Sequence, residues 1–284
     1  MESIKSLDTI GFELLYAAFK EAFSDYEVQV NREELSIMLG RRGFDPSLSF
    51  GLFKDGKLIS FTLNGIGAFN GVKTAYDSGT GTIKEYRGKG YASRIFSFSL
   101  PHLKEAGVSQ YLLEVLQHNT NAVSVYRKLG FEVSCEYNYF IQQASLVNIP
   151  AKVLPSGYEL REISSRQLGD MEDFGDFNPS WQNGYEAIWR RIEDFRIFVA
   201  FNDTTPVGYC IFEPGSGDVT QIAVAGAHRR IGIASALLTE ALKTNLHANV
   251  KIINTEIECS NITYFLRSCG ILPKGRQFEM IRKL

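Results

Sequence analysis

The chain has 284 residues, of which 44% are hydrophobic and 22% charged, with a formal charge of −2. These values describe a globular protein with a substantial core and exclude a disordered chain or a disulfide-scaffolded miniprotein. Thirty basic residues stand against 32 acidic ones, evenly shared between the halves, so there is no electrostatic footprint for nucleic acid.

In chain order, Leu15, Ala18, Phe19, Ala22 and Phe23 fall on one helical face, and a second helix is expected over about 31–40. Ser49–Phe53 and Lys57–Leu63 read as strands around a Lys54-Asp55-Gly56 hairpin turn. A Gly/Thr-rich strand then runs up to Arg87. The helix after it is expected to turn Ile95, Phe98 and Leu103 inward, and Pro101 is expected to kink it or end it early. Tyr111–Val115 is a buried strand, followed by a short helix and a terminal strand. Pro150, Pro155 and Gly157 break both periodicities and place a linker near 143–156. The same order then recurs. Phe195–Phe201 and Val207–Phe212 flank a turn, and Thr220–Val224 leads to Arg229. Ile231, Ala234, Leu238, Ala241 and Leu242 form a helical stripe, and Ile252–Ile257 is the next buried strand. Length alone favours two domains.

Cys135, Cys210, Cys259 and Cys269 form no CxxC pair, and His102, His118, His228 and His247 have no ligand spacing. No metal is expected. The start of the chain lacks a signal pattern and no apolar run approaches a membrane span, so a cytoplasmic address and no membrane partner are expected. Trp181 and Trp189, in the aromatic stretch from Phe174, read equally as core packing or as a border to a binding site.

The recurrence has fixed anchors. Arg87-Gly-Lys-Gly-Tyr-Ala and Arg229-Arg-Ile-Gly-Ile-Ala both fit Arg-x-x-Gly-x-Ala, 142 residues apart, and Glu114 and Asn119 have counterparts at the same offset in Glu256 and Asn261. A duplicated domain is implied, spanning 1–145 and 153–284. A strand, a Gly-rich turn and a helix N-terminus make an anion site, because the first helical amides have no intrahelical acceptor. Two other phosphate motifs are excluded. Ile83 occupies the first glycine of a P-loop, and Ser93 the third glycine of a dinucleotide fingerprint.

With these residues the sequence resembles the GNAT superfamily of acyl-CoA-dependent N-acyltransferases in both halves. The family's central motif, Gln/Arg-x-x-Gly-x-Gly/Ala, is matched by Arg87, Gly90 and Ala92 and by Arg229, Gly232 and Ala234. The second signature reads Leu113-Glu114-Val115, Asn119, Ala122, Tyr126, Gly130-Phe131. The resemblance implies an α/β fold of two tandem GNAT domains, each a mixed central sheet flanked by helices. It further implies that Arg87, Gly88, Lys89, Gly90, Tyr91, Ala92 and Ser93 cradle the pyrophosphate of acetyl-CoA. Thr80, Gly81 and Thr82 would pair with its pantetheine arm, and Asn119 would meet that arm. Tyr126 would protonate the departing thiolate and Glu114 would serve as base, with Asp77 or Glu85 as competitors.

The implied reaction moves an acetyl group to a primary amine, on a small molecule or a peptide, by direct attack in a ternary complex. The alternative is a non-catalytic acyl-CoA-binding regulator or sensor. The chemistry suits the residue types: the amine must be neutral to attack, and the leaving thiolate needs a nearby donor. In the second half, counting from Asn261 puts Ser268 at the tyrosine position, whereas counting back from Gly270 puts Leu266 there. Tyr264 lies a turn away, Ile271 replaces Phe131, and the helix is expected to have lost two positions. The second domain is therefore expected to be catalytically weak or silent.

Overall fold

In the computed structural model, which describes residues 1–26, 29–164, 167 and 174–284, strands and helices alternate in the expected order. After β1 (Glu2–Ser6), helix α1 (Phe12–Ala22) buries Leu15, Ala18, Phe19 and Ala22, the spacing of one helical face. Helix α2 (Arg32–Arg42) starts on a capping box, in which Asn31 accepts from the Glu34 amide while Glu34 reaches back to the Asn31 amide. Strands β2 (Phe50–Lys54) and β3 (Lys57–Phe69) join through Asp55-Gly56, both at positive φ. That is the backbone a two-residue hairpin loop demands. Asn70-Gly71 repeats the device between β3 and β4 (Val72–Thr82).

Helix α3 (Tyr91–Glu105) contains Pro101 and continues past it. The sequence expectation of an early end is not met, because one missing N–H removes one ladder bond while Ile95, Phe96 and Leu103 stay buried on either side. Next come β5 (Gln110–Leu116), α4 (Thr120–Lys128) and β6 (Glu132–Gln143). The second half repeats this plan with β7 (Tyr158–Ile163), α5 (Tyr185–Arg190), β8 (Arg196–Asn202), β9 (Thr205–Glu213), β10 (Asp218–Val224), α6 (Ile233–Lys243), β11 (Asn249–Glu256), α7 (Ser260–Ser268) and β12 (Pro273–Lys283).

The chain divides into two compact units, Met1–Ser134 with Phe278–Leu284, and Cys135–Gln277. In the first the strand order is β1-β2-β3-β4-β5 followed by the end of β12; in the second it is β6-β11-β10-β9-β8-β7. Each unit thus takes its last strand from the other half of the sequence. Strand β6 pairs antiparallel with β11 from Asn249↔Gln143 to Glu256↔Tyr137. At the far end of the chain the Leu284 amide donates to Ser109 O, beside β5. The two strands are the same element of a duplicated domain, each following its short helix, so either suits either slot. The sequence division at 145–153 follows the repeat; the compact units follow the exchanged strands.

The returning strand has work in the first unit. Met280 is fully buried in a cluster with Phe96, Val123 and Phe131, against which Tyr126 packs. Arg282 donates to Leu129 O at the end of α4 and lies 5.5 Å from the centre of the Phe96 ring. Ser134 Oγ donates to Glu279 Oε1 at 2.7 Å.

Candidate active site

In the first unit the β3–β4 register slips between Leu63↔Gly79 and Asn64↔Asp77, leaving Ser78 as an extra residue in β4. Such a bulge bends the strand and re-aims its side chains. Strand β4 pairs in parallel with β5 from Thr74↔Gln110 to Tyr76↔Leu112, although both strands run on, to Thr82 and Leu116. The strands part beyond Tyr76. Asp77 is the first residue past the last pair, and Glu114 lies two residues past Leu112.

Helix α4 delivers Tyr126 to this fork. Its hydroxyl donates to Asp77 Oδ2 at 3.3 Å; Thr80 Oγ1 donates to the same oxygen at 2.8 Å, and the Gly79 amide to Oδ1 at 3.0 Å. The tyrosine ring packs edge-on against Phe131, with centroids 5.7 Å apart. Burial pushes the Asp77 carboxyl above its ordinary range, against the pull of these hydrogen bonds and of the Arg42 charge. Burial, and then the Asp77 charge, push the Tyr126 phenol well up, so it keeps its proton at neutral pH. On the other arm, Glu114 is hydrogen-bonded by Tyr76, a fully enclosed phenol raised by burial and by the Glu114 charge. The fork therefore gathers two carboxylates and two protonated phenols. Glu85, the other candidate base, sits in the turn Lys84–Tyr86, with its carboxylate beside the Tyr86 phenol.

The turn before α3 combines open backbone with an uncapped helix start. Gly88 and Gly90 have φ of 76° and 75°, and a Cβ at either would meet nothing within 4 Å. Gly90 is the N-cap with no side chain capping the helix, and the first intrahelical bond runs from the Arg94 amide to Gly90 O. The amides of Tyr91, Ala92 and Ser93 precede that bond, and their positive ends line up with the helix dipole. Open backbone, free-standing amides and dipole fit a pyrophosphate. Lys89 Nζ lies 5.2 Å from the centre of the Tyr86 ring, beside the turn.

Several of the residues expected to contact the cofactor also make structural contacts. The Arg87 guanidinium makes four hydrogen bonds, two to Asp25 and one each to Ala22 O and Thr82 O. It clamps the end of β4 to the chain after α1, and the pairing holds the Asp25 carboxyl down to about 2. Tyr91 turns its hydroxyl to Glu2 Oε1 at 2.6 Å, so only its amide faces the turn. A Cβ on Gly81 would lie 2.6 Å from Phe61, which makes the glycine a packing requirement. Thr82 Oγ1 lies 2.7 Å from Ser60 Oγ. Asn119 caps α4 by accepting the Ala122 amide at 3.2 Å, so a ligand contact falls to its Nδ2 donor.

The second unit keeps the turn and alters everything around it. Arg229 repeats the clamp, donating to Val224 O and pairing with Asp176, both at 2.8 Å. Arg230, at φ 66°, stands where the first unit has Gly88. A Cβ on Gly232 would lie 2.8 Å from Lys152 Cβ, and Lys152 Nζ reaches Arg230 O at 3.4 Å. The linker lysine lies across the turn. At the β10–β11 fork, which opens after Asp218↔Lys251, Gln221 donates to Asn183 O at 2.6 Å and Asn183 to Ile253 O at 2.9 Å. Asn254 donates to Ser180 Oγ at 2.8 Å. The segment from Ser180 to Asn183, itself buried, stitches the two strands.

The helices also correct the sequence alignment of the halves. Helix α7 has nine residues, as α4 has, and its N-cap is Cys259. The lost positions lie ahead of β11, where α6 is 11 residues long against 15 for α3. Counting from the two helix starts, Asn119 matches Cys259, Tyr126 matches the fully buried Leu266, and Glu114 matches Asn254. Asn261 is a helical residue that contacts Asp176 at 3.4 Å, and Glu256 is the last residue of β11.

Known proteins share this architecture. The family model for the acetyltransferase (GNAT) family matches residues 11–131 and 159–270. A tandem GNAT protein from the clavulanic acid biosynthesis pathway superposes with a TM-score of 0.74 at 12% identity, covering 100% of this chain and 98% of that one. A GCN5-related N-acetyltransferase from Sphaerobacter thermophilus gives 0.72 at 14% identity, covering 99% and 95%. Among curated proteins, N-alpha-acetyltransferase MAK3 of Arabidopsis thaliana is 29% identical over 97 residues, 34% of this chain and 51% of that one. N-alpha-acetyltransferase 30 of Schizosaccharomyces pombe is 40% identical over 55 residues, 19% of this chain and 35% of that one. The chain thus spans about half of the length of one of these curated relatives and about a third of the other.

Proposed function

The chain belongs to the GNAT acetyltransferase family, and from that premise we propose that its first unit transfers an acetyl group from acetyl-CoA to a primary amine. The observation that carries this reading is the Tyr126 hydroxyl, held 3.3 Å from Asp77 at the point where β4 and β5 part. The amides of the Gly88–Ser93 turn hold the pyrophosphate. The stretch of β4 over Thr80–Thr82, paired with β3 but past its last pair with β5, and the Nδ2 of Asn119 align the pantetheine arm. Acetyl-CoA supplies the activated acyl group. Glu114 removes the proton of the incoming ammonium, and Tyr126 donates to the sulfur as the C–S bond breaks. Positioning of the two reactants supplies much of the acceleration. The second unit is catalytically silent, since amides and Leu266 replace its carboxylate and phenol.

The two curated relatives are N-alpha-acetyltransferases by name, so peptides with free N-termini come first among acceptors to test, with small-molecule amines next. The experiment is calorimetric titration of acetyl-CoA into the full chain, followed by thiol release with an amine panel. One site per chain, lost when Gly90 is made bulky, and thiol release dependent on one class of amine support the reading. Binding with no thiol release from any amine would replace it with acyl-CoA sensing. No binding at all would overturn it.

A further inference from the structure

We infer that Asp77 is the proton partner of Tyr126: it accepts the proton shed by the attacking nitrogen and restores the phenol after Tyr126 has protonated the sulfur. The inference rests on the acetyl transfer proposed above and assigns a step within it.

The geometry is specific to this residue. Asp77 lies one residue past the last β4–β5 pair, beside the bulge at Ser78. Gly79 and Thr80 hold its two oxygens, and Tyr126 shares Oδ2 with Thr80. The charged and titratable groups around it are Arg42 from α2, Tyr126 from α4, Tyr111 from β5 and the neighbouring Tyr76. Arg42, which donates to Ser78 O at 2.9 Å, is the positive charge among them and, after the hydrogen bonds from Thr80, Gly79 and Tyr126, opposes the upward push of burial on Asp77.

The protons balance. Attack by the neutral amine forms the C–N bond and leaves a proton too many on nitrogen. Collapse breaks the C–S bond, and its electron pair goes to sulfur. The nitrogen proton passes to the Asp77 carboxylate, the Tyr126 proton passes to sulfur, and Asp77 returns its proton to the Tyr126 oxygen along their hydrogen bond. The net result is one proton moved from nitrogen to sulfur, with both side chains restored. The ammonium proton lost before attack goes to Glu114 and then to water.

This coupling resolves a difficulty of the isolated phenol. An ordinary thiol titrates near 8.5 and an ordinary phenol near 10, so transfer from phenol to thiolate is uphill by at least about thirtyfold. Burial of Tyr126 makes it steeper. A carboxyl is ordinarily a stronger acid than either, so coupling the phenol to Asp77 opposes the uphill step.

The test uses Asp77→Asn in the full chain. The amide oxygen keeps the Gly79 contact and its NH2 can donate to Thr80 and Tyr126, while proton acceptance is lost. With the best amine, kcat should fall about 10²-fold while KM for acetyl-CoA stays within about threefold. The acid limb of the kcat profile, set by Asp77, should disappear, and a curved solvent-deuterium proton inventory should become linear. Asp77→Asn added to Tyr126→Phe should cost little more than Tyr126→Phe alone. Asp77→Glu, which retains a carboxyl, should recover much of the rate and the acid limb. It also decides the matter if the Asn variant folds poorly. Unchanged kcat and acid limb in Asp77→Asn, additive losses in the double variant, or a Glu variant no better than Asn would overturn the relay and leave acetyl transfer intact. A full chain that transfers to no amine would overturn both.

Discussion

At the fork of the first unit stand Asp77, Glu114 and Tyr126; at the fork of the second, amides of Asn183, Gln221 and Asn254 bond to each other's elements and to Ile253 O. Both units keep the arginine clamp and the left-handed glycine before the helix. What differs is the cost each fork accepts. A buried carboxylate is disfavoured by desolvation and raises its own proton affinity, whereas satisfied neutral amides each contribute about 1 kcal/mol of net stability. The second unit has exchanged groups that can move protons for groups that can only hold the strands together. A shared fold therefore does not carry shared chemistry; the residues at the fork decide it.

The largest effect that sharpens this contrast is Tyr126→Phe. It should lower kcat by about 10²- to 10⁴-fold with little change in acetyl-CoA affinity, while the melting curve stays near that of the parent. Unchanged turnover would remove the acid from the first unit and with it the contrast. Next, Gly90→Val should weaken acetyl-CoA by at least about 100-fold, since a β-branched residue at φ 75° is strained and fills the open space beside the turn. Gly232→Val should leave calorimetric binding as it was, because Lys152 already lies across that turn. Equal effects at both glycines would show two working cradles.

The third change crosses the halves of the sequence. Met280→Ala should cost about 2–5 kcal/mol, read by denaturant unfolding, and should reduce turnover, because Met280 packs in the cluster that supports Tyr126. A loss confined to the second unit, as seen by limited proteolysis, would contradict the assignment of 278–284 to the first. Fourth, Lys152→Ala should uncover the second turn and bring a further, weaker acetyl-CoA site, moving stoichiometry from one towards two. The smallest effect concerns acid. The Asp25 carboxyl is lowered from 3.8 to about 2 by Arg87, so its contribution is complete above the unfolded value and is lost as pH falls towards 2. Asp25→Asn should flatten that part of the melting temperature profile, modestly, because the pair is partly exposed.

The sequence made the helices and strands legible where periodicity and turn chemistry agreed, as in α1, in α2 and at Asp55-Gly56. The turn at Gly88–Gly90 was equally legible, because positive φ and helix-start amides are local properties. Tyr126 and Glu114 were named through the family resemblance, and both lie at the fork. Asp77 entered only as a rival base. Its partnership with Tyr126 spans 49 residues and depends on a bulge that shifts β4 by one residue, which no local signal in Asp77-Ser78-Gly79 announces. Arg87 was read as a ligand contact from its motif, yet its acceptors Asp25 and Ala22 O lie more than 60 residues upstream. The alignment of the halves went astray for a related reason. A single offset of 142 fits the Gly turns, but the shortening before β11 is invisible until the helix starts are seen.

By itself the sequence determined the duplication, the order of the main elements in each half and the glycine turn before each long helix, all of which arise from neighbours along the chain. The tertiary structure decided which last strand completes each sheet, which residue pairs with Tyr126, and that Lys152 and Asn183 cover the second unit's turn and fork. Those outcomes turn on competition among similar elements and on contacts between distant residues. A repeated sequence offers the same strand twice, and only packing, through Met280 and Arg282 against Phe96 and Leu129, selects between them.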